Sequence, residues 1–151
     1  MISQILKTSI MSIGIGFLAQ VLQSSLSTNY LNNFLSQNLI TILIALLAIN
    51  SATLGIVLTK IRDLVEKHGN AECFNTTKQH MILSIKEQIA LIIFAVIFLT
   101  IVSSSVITDY TNLKMLIDAT IVSVFSYALF VLYDTAKGVL IIIDFDVNKN
   151  G

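Results

Sequence analysis

The chain has 151 residues, 55% hydrophobic and only 12% charged, with nine basic side chains balanced by nine acidic ones. A soluble domain carries roughly 25% charged residues, so the composition describes a polytopic membrane protein rather than a globular domain. Zero formal charge speaks against direct nucleic-acid binding, which needs clustered Lys and Arg, and the single Cys73 excludes an internal disulfide framework.

Residues 1–7 carry one basic side chain, Lys7, and 8–22 carry no charge. This run predicts a first span over about 8–24, with Ser12, Gly14 and Gly16 allowing close helix approach. A cleaved secretory segment is the alternative, because Ser25-Leu26-Ser27 has suitably small residues. Residues 23–38 contain no Lys, Arg, Asp or Glu and read as an external loop, with Tyr30 and Phe34 dipping one face of a short helix into the interface.

Residues 39–59 form 21 consecutive positions without a charge. A hydrocarbon core needs about 20 such residues in a helix, so this second span is the stretch around which the sequence looks organised. Residues 60–88 then carry five of the nine Lys and Arg residues, which makes them cytoplasmic by the positive-inside rule. Ile61, Leu64, Val65 and His68 continue the helical period, and Arg62–Glu66 and Asp63–Lys67 are i, i+4 pairs. Gly69-Asn70 is a stop signal, and a new helix is expected from Thr76 or Thr77, with Gln79 completing a capping box. The stretch 60–88 is therefore a helical hairpin extending spans two and three into the cytoplasm.

A third span follows over 89–108, then a tight connection at 109–114, then a fourth span over about 115–134 with Asp118 in its first turn. Asp134 and Lys137 mark the inner boundary, and 135–151 form a cytoplasmic C-terminal segment. Within it, the uncharged run 139–143 lies past the membrane and needs covering, by the hairpin, another copy or a soluble partner. The inner side thus collects Lys7, the five hairpin cations, Lys137 and Lys149, against Lys114 outside. The expected fold is an all-α integral membrane protein in a single domain, with four spans and both termini inside.

Asn50, beside Ser51 and Thr53 at mid-membrane, has two readings: interhelical glue, which is preferred, or a pore constriction. Ala45, Ala48, Ala52 and Gly55 make one small-residue face, expected to be a tight contact within or between protomers. Ser103, Ser104, Ser105, Ser123 and Ser126 are expected to bond their own i−4 carbonyls, and Tyr127 adds one more hydroxyl. His68, Glu72, Cys73 and His80 fit no zinc spacing. The acidic end from Asp144 has Lys149 where a calcium loop requires glycine. The sequon at Asn75 would be inert in the cytoplasm. No cofactor, metal or catalytic constellation is expected.

With four short-looped spans and a charged hairpin after the second, the stretches ILIALLAINSATLGIVLTKIRDL (42–64) and SIKEQIALIIFAVI (84–97) resemble small bacterial defence membrane proteins. The plan is most similar to the membrane subunit of the Kiwa anti-phage system, across about 38–143. The lambda exclusion pore protein has a similar plan. The Kiwa resemblance implies a homo-oligomer that detects phage-induced membrane perturbation and carries a soluble effector on its cytoplasmic face.

The sequence therefore leads to a non-enzymatic, oligomeric subunit of the bacterial inner membrane. Its partner-binding face would comprise Arg62, Asp63, Glu66, Lys67, Lys86, Asp134 and Lys137, with Ala48, Asn50, Ala52 and Gly55 left for helix packing. The alternative is an ion channel or holin-like pore lined by Asn50, Ser51 and the span-three serines. A proton-coupled transporter is disfavoured, because the spans carry no mid-membrane acid or base.

Overall fold

The computed structural model describes the backbone of residues 2–68, 75–103 and 111–150 and the side chains of 3, 5–66, 75–103 and 113–140. Within these, the regular structure is four helices: α1 (Ile2–Ser25), α2 (Tyr30–His68), α3 (Asn75–Val102) and α4 (Thr111–Asn150). The chain has no proline to interrupt them. All four are long and apolar enough to cross a membrane.

The distribution of side chains fits a lipid surround. On α1 the buried residues are Ser12, Gly16, Gln20 and Gln23, spaced by three or four, whereas Leu6, Ile10, Leu18 and Leu22 are each about 60% exposed. A helix that faces its amides inward and its leucines outward is inverted for water and ordinary for hydrocarbon, where every polar group must be satisfied inside. In that solvent leucine gains nothing by leaving lipid for protein, so the helices are held by close packing and polar contacts.

α4 is the hub and touches each of the other three helices. Of its most apolar window, 56% is buried, against 17, 22 and 11% in α1, α2 and α3. The organising element is therefore α4 and not the second span. One α4 face, with Ile117, Ile121, Val124 and Ala128, joins Leu35, Leu39, Leu43 and Leu46 of α2 and Leu91 and Ala95 of α3 in a main apolar cluster. A smaller cluster joins Val57, Ile61 and Leu64 of α2 to Met81 of α3, with Val139 of α4 against it. Late α2 thus meets early α3, and the same end also receives late α4, so α3 runs antiparallel to its two neighbours. The start of α1, with Ile5 and Thr8, lies beside Val131 and Asp134 of α4 at this end. The start of α1, late α2, early α3 and late α4 therefore share one end of the bundle.

At Gly16 α1 lies close against α4. A Cβ there would collide with Ser123 Oγ and the carbonyl oxygen of Ala119. At the other end of α1 the chain turns tightly over 26–29. Ser27 takes a left-handed φ of 50°, and Thr28 N donates to Gln23 O at 3.0 Å, closing a Schellman-type cap.

Several sequence expectations change. Most of 23–38 is helical rather than an external loop: α1 runs to Ser25 and α2 begins at Tyr30. Tyr30 and Phe34 do share an exposed face, with rings stacked at 6.3 Å, but on the first turns of α2 itself. Asp118 is buried two turns inside α4, not in its first turn, with Lys114 one turn before it. The connection expected at 109–114 gives up its last four residues to α4, and 104–110 lie outside the described residues. The C-terminal segment is not a separate tail, since α4 continues without a break past Gly138 to Asn150. Val139 is partly buried against the cluster of Val57, Ile61, Leu64 and Met81, Leu140 is 60% exposed and so is not covered within the chain, and the side chains of 141–143 lie outside the described residues.

Candidate functional site

At the shared end of the bundle, two stripes with helical spacing face each other. α3 supplies His80, Ser84 and Glu87, and α4 supplies Tyr127, Val131 and Asp134. Ile5 and Thr8 of α1 close the third side, leaving a cleft of about 300 Å³. Tyr127 Oη donates to Glu87 Oε1 at 3.2 Å and ties α4 to α3. Glu87 also lies within Coulombic reach of Asp134 and His80. Ser84 Oγ donates to His80 O at 3.1 Å and Thr135 Oγ1 to Val131 O at 3.1 Å, so these hydroxyls spend their protons on their own helices. What they and the two carboxylates present to the cleft is acceptor oxygen. Among the described residues on the lining, Lys137 is the one basic side chain of fixed charge. Among the described residues, no group of three or more His, Cys, Asp and Glu is arranged to hold a metal.

Gln88 of α3 and Asn50 of α2 are both 1% exposed, and neither side-chain amide has a hydrogen-bond partner among the described residues. Asn50 interrupts the α2 seam between Leu46 and Val57, and Gln88 the α3 seam between Met81 and Leu91, where the two apolar clusters divide. The glue expected of Asn50 is therefore not made within the described bundle, and a second copy has no surface by which to reach it. Replacing Asn50 by Leu removes a desolvated amide and restores the seam. The variant is expected to resist unfolding in bicelles by about 1–2 kcal/mol more than the parent; a loss of stability would show that the amide is satisfied.

The amides at the opposite end contrast with these. Asn32 Oδ1 accepts from Gln20 Nε2 at 2.8 Å and Gln23 Nε2 at 3.0 Å, while Asn32 Nδ2 donates to Gln20 Oε1 at 3.2 Å. Gln23 Oε1 accepts from the backbone N–H groups of Leu31 and Asn32, capping the start of α2.

The residues assigned from sequence divide among different surfaces. Arg62 Nε donates to Glu66 Oε1 at 3.0 Å on an exposed face of α2 that also carries Asp63, and Lys86 is exposed on α3. The side chain of Lys67 lies outside the described residues, and with it the Asp63–Lys67 pair. Asp134 and Lys137 instead line the cleft, beside Glu87, Tyr127 and His80, which the sequence had not grouped with them. Ala45, Ala48, Ala52 and Gly55 are exposed, and a Cβ on Gly55 would meet nothing within 4 Å, so this face makes no tight contact among the described residues. Ser103, Ser123 and Ser126 bond their i−4 carbonyls as expected, at 2.7–2.9 Å. Of the His–Cys group, only the His80 side chain falls within the described residues, and those of the acidic C-terminal end do not.

The class that fold and site define is an all-α protein whose four helices are fit to span a membrane. Comparison with family models, with curated proteins and with solved structures gives no match to this chain.

Proposed function

We propose that the chain is a non-enzymatic, oligomeric scaffold of the bacterial inner membrane that holds a soluble cytoplasmic partner at the shared end of its bundle. The observation that carries this is surplus length. α2 and α4 have 39 and 40 residues, about 58–60 Å at 1.5 Å per residue, where a hydrocarbon core is about 30 Å thick. Their late segments meet in the cluster of Val57, Ile61, Leu64 and Val139, which supports a stalk beyond the bilayer. The positive-inside rule, applied to five cations in 60–88, supports a cytoplasmic stalk with both termini on that side. Self-association is assigned to the exposed small-residue face of α2, where Ala48, Ala52 and Gly55 let a second copy come close. An anti-phage role, with the partner as effector, is drawn from the resemblance of 42–64 and 84–97 alone.

Arg62, Asp63 and Glu66 are the first residues to test. An exposed i, i+4 pair stabilises a helix by only about 0.3–0.5 kcal/mol, so these charges are dispensable to the fold. The double charge swap Arg62→Glu with Asp63→Lys is expected to abolish co-purification of a stoichiometric partner while insertion and oligomer size stay unchanged. A partner retained by the swapped protein would refute this surface.

The pore reading keeps one observation in its favour, the unbonded amides of Asn50 and Gln88 in the bundle interior. It requires that purified protein conduct ions across a planar bilayer and that Asn50→Leu stop the current.

A further inference from the structure

Two acidic side chains stand closer together along the bundle than a membrane is thick. Asp118 and Tyr127 are nine residues apart on α4, about 13–14 Å at 1.5 Å per residue, and both fall inside the stretch Leu113–Leu140 that is apolar enough to span. Tyr127 Oη donates to Glu87 Oε1 at 3.2 Å. Even with the whole tyrosine side chain laid along the axis, the carboxyls of Asp118 and Glu87 stay well short of a hydrocarbon core of about 30 Å. One of the two therefore lies within the core, and two helices indicate which. On α4 the uncharged run 119–133 is centred at 126, one residue from Tyr127. On α2 the uncharged run 39–59 is centred at 49, beside Asn50, and in the antiparallel pair Asn50 interrupts its seam where Gln88 interrupts that of α3. Both put Glu87 near mid-membrane and Asp118 toward one boundary. A third span drawn from residue 89 by charge alone leaves Glu87 out; the register of the helices brings it in.

We propose that Glu87 is an intramembrane proton-binding site, filled through the cleft from the shared end of the bundle. A carboxylate at that depth is costly unless it takes a proton or a counter-ion, and intramembrane acids mark proton and ion paths. Oε1 accepts from Tyr127, which leaves Oε2 to take a proton from hydronium and release water. Side chains mark the route. His80 and Ser84 precede Glu87 on its own face of α3, and Val131 and Asp134 follow Tyr127 on α4, so the lining extends about 10 Å toward the shared end. The titratable and charged groups facing Glu87 are His80 from α3 and Tyr127, Asp134 and Lys137 from α4. α1 presents the uncharged Ile5 and Thr8, and among the described residues α2 lines none of the cleft. Asp134 is engaged by a further group, so the site relies on the depth of Glu87 and not on the charge of Asp134. Proton uptake here needs the membrane-spanning fold and no soluble partner.

The test is carbodiimide labelling of the full-length protein in liposomes, read by intact mass and peptide mapping. The proton of the acid passes to one nitrogen of the reagent while its oxygen bonds the central carbon, and the adduct rearranges to a stable N-acylurea with no atom lost. At neutral pH the lipid-soluble dicyclohexylcarbodiimide is expected to label Glu87 roughly tenfold or more faster than Glu66, which is exposed near the end of α2. A charged, water-soluble carbodiimide should show the reverse order. Glu87→Gln should abolish the fast adduct, and Glu87→Asp should keep it. Labelling of Glu87 no faster than that of Glu66 would overturn the proposal, as would a fast adduct on Asp118, which would move the midplane to the other side of Tyr127. Protection by sodium at fixed pH would overturn it too, by making a metal cation the ligand. If Glu87→Gln does not fold, peptide mapping of the parent still decides, because it assigns the adduct without any substitution.

Discussion

Gly16→Leu is expected to detach α1 from the bundle. The position faces the Ala119 carbonyl and Ser123, and even a methyl group would overlap both. The carbonyl belongs to the most buried helix and cannot move aside without shifting α4, which packs on every other element. Overpacking of this kind destabilises by about 1–3 kcal/mol for small increments and more when backbone must move. We therefore expect about 3 kcal/mol or more for Leu and a smaller loss of the same sign for Ala. Steric trapping or denaturant unfolding in bicelles would read it, and cysteine crosslinking between α1 and α4 should vanish while α2–α3 crosslinks persist. Gly14 supplies the control, because a Cβ there meets nothing within 4 Å. Equal effects at Gly14 and Gly16 would remove close approach as the cause.

Asn32→Leu is expected to be the second most damaging change. It deletes one acceptor and one donor and strands the side chains of Gln20 and Gln23, each only 7% exposed. A buried group left unsatisfied costs about 1–3 kcal/mol, so two of them imply about 2–6 kcal/mol. Gln23 still caps α2 through the backbone of Leu31 and Asn32. The damage should therefore centre on Gln20, and adding Gln20→Leu to Asn32→Leu should recover part of the stability. A fully additive double variant would mean that the amides do not act together.

The spans were legible because an uncharged run of about 20 residues matches the thickness of a bilayer and little else in a folded chain. The stop expected at Gly69-Asn70 lies outside the described residues. The interior of the bundle was less legible. Gln23 and Asn32 signal a wet loop by the statistics of soluble proteins, yet in lipid the same polarity marks the inward face of a helix. The cleft could not be assembled from spacing, since Glu87 and Tyr127 are 40 residues apart and meet only once α3 and α4 are antiparallel. Gln88 was readable in principle: it continues the buried series Met81, Ser84, Leu91, Ala95, and a period taken through residue 88 would have placed its amide on the seam. Nor does composition distinguish α4 as the hub, because its apolar content resembles that of α2 and α3.

The dependence of α1 on α4 has a consequence for biosynthesis. Of the four helices the earliest made docks chiefly on the latest, and the seat for Gly16 at Ala119 and Ser123 is made about a hundred residues later, roughly 5–20 s at 5–20 residues per second. Throughout that interval α1 stands in the bilayer without its principal neighbour. The amides of Gln20, Gln23 and Asn32 need only the first turn of α2 to engage, so they can fasten the nascent α1–α2 pair at once and hold α1 beside the insertion site until α4 arrives.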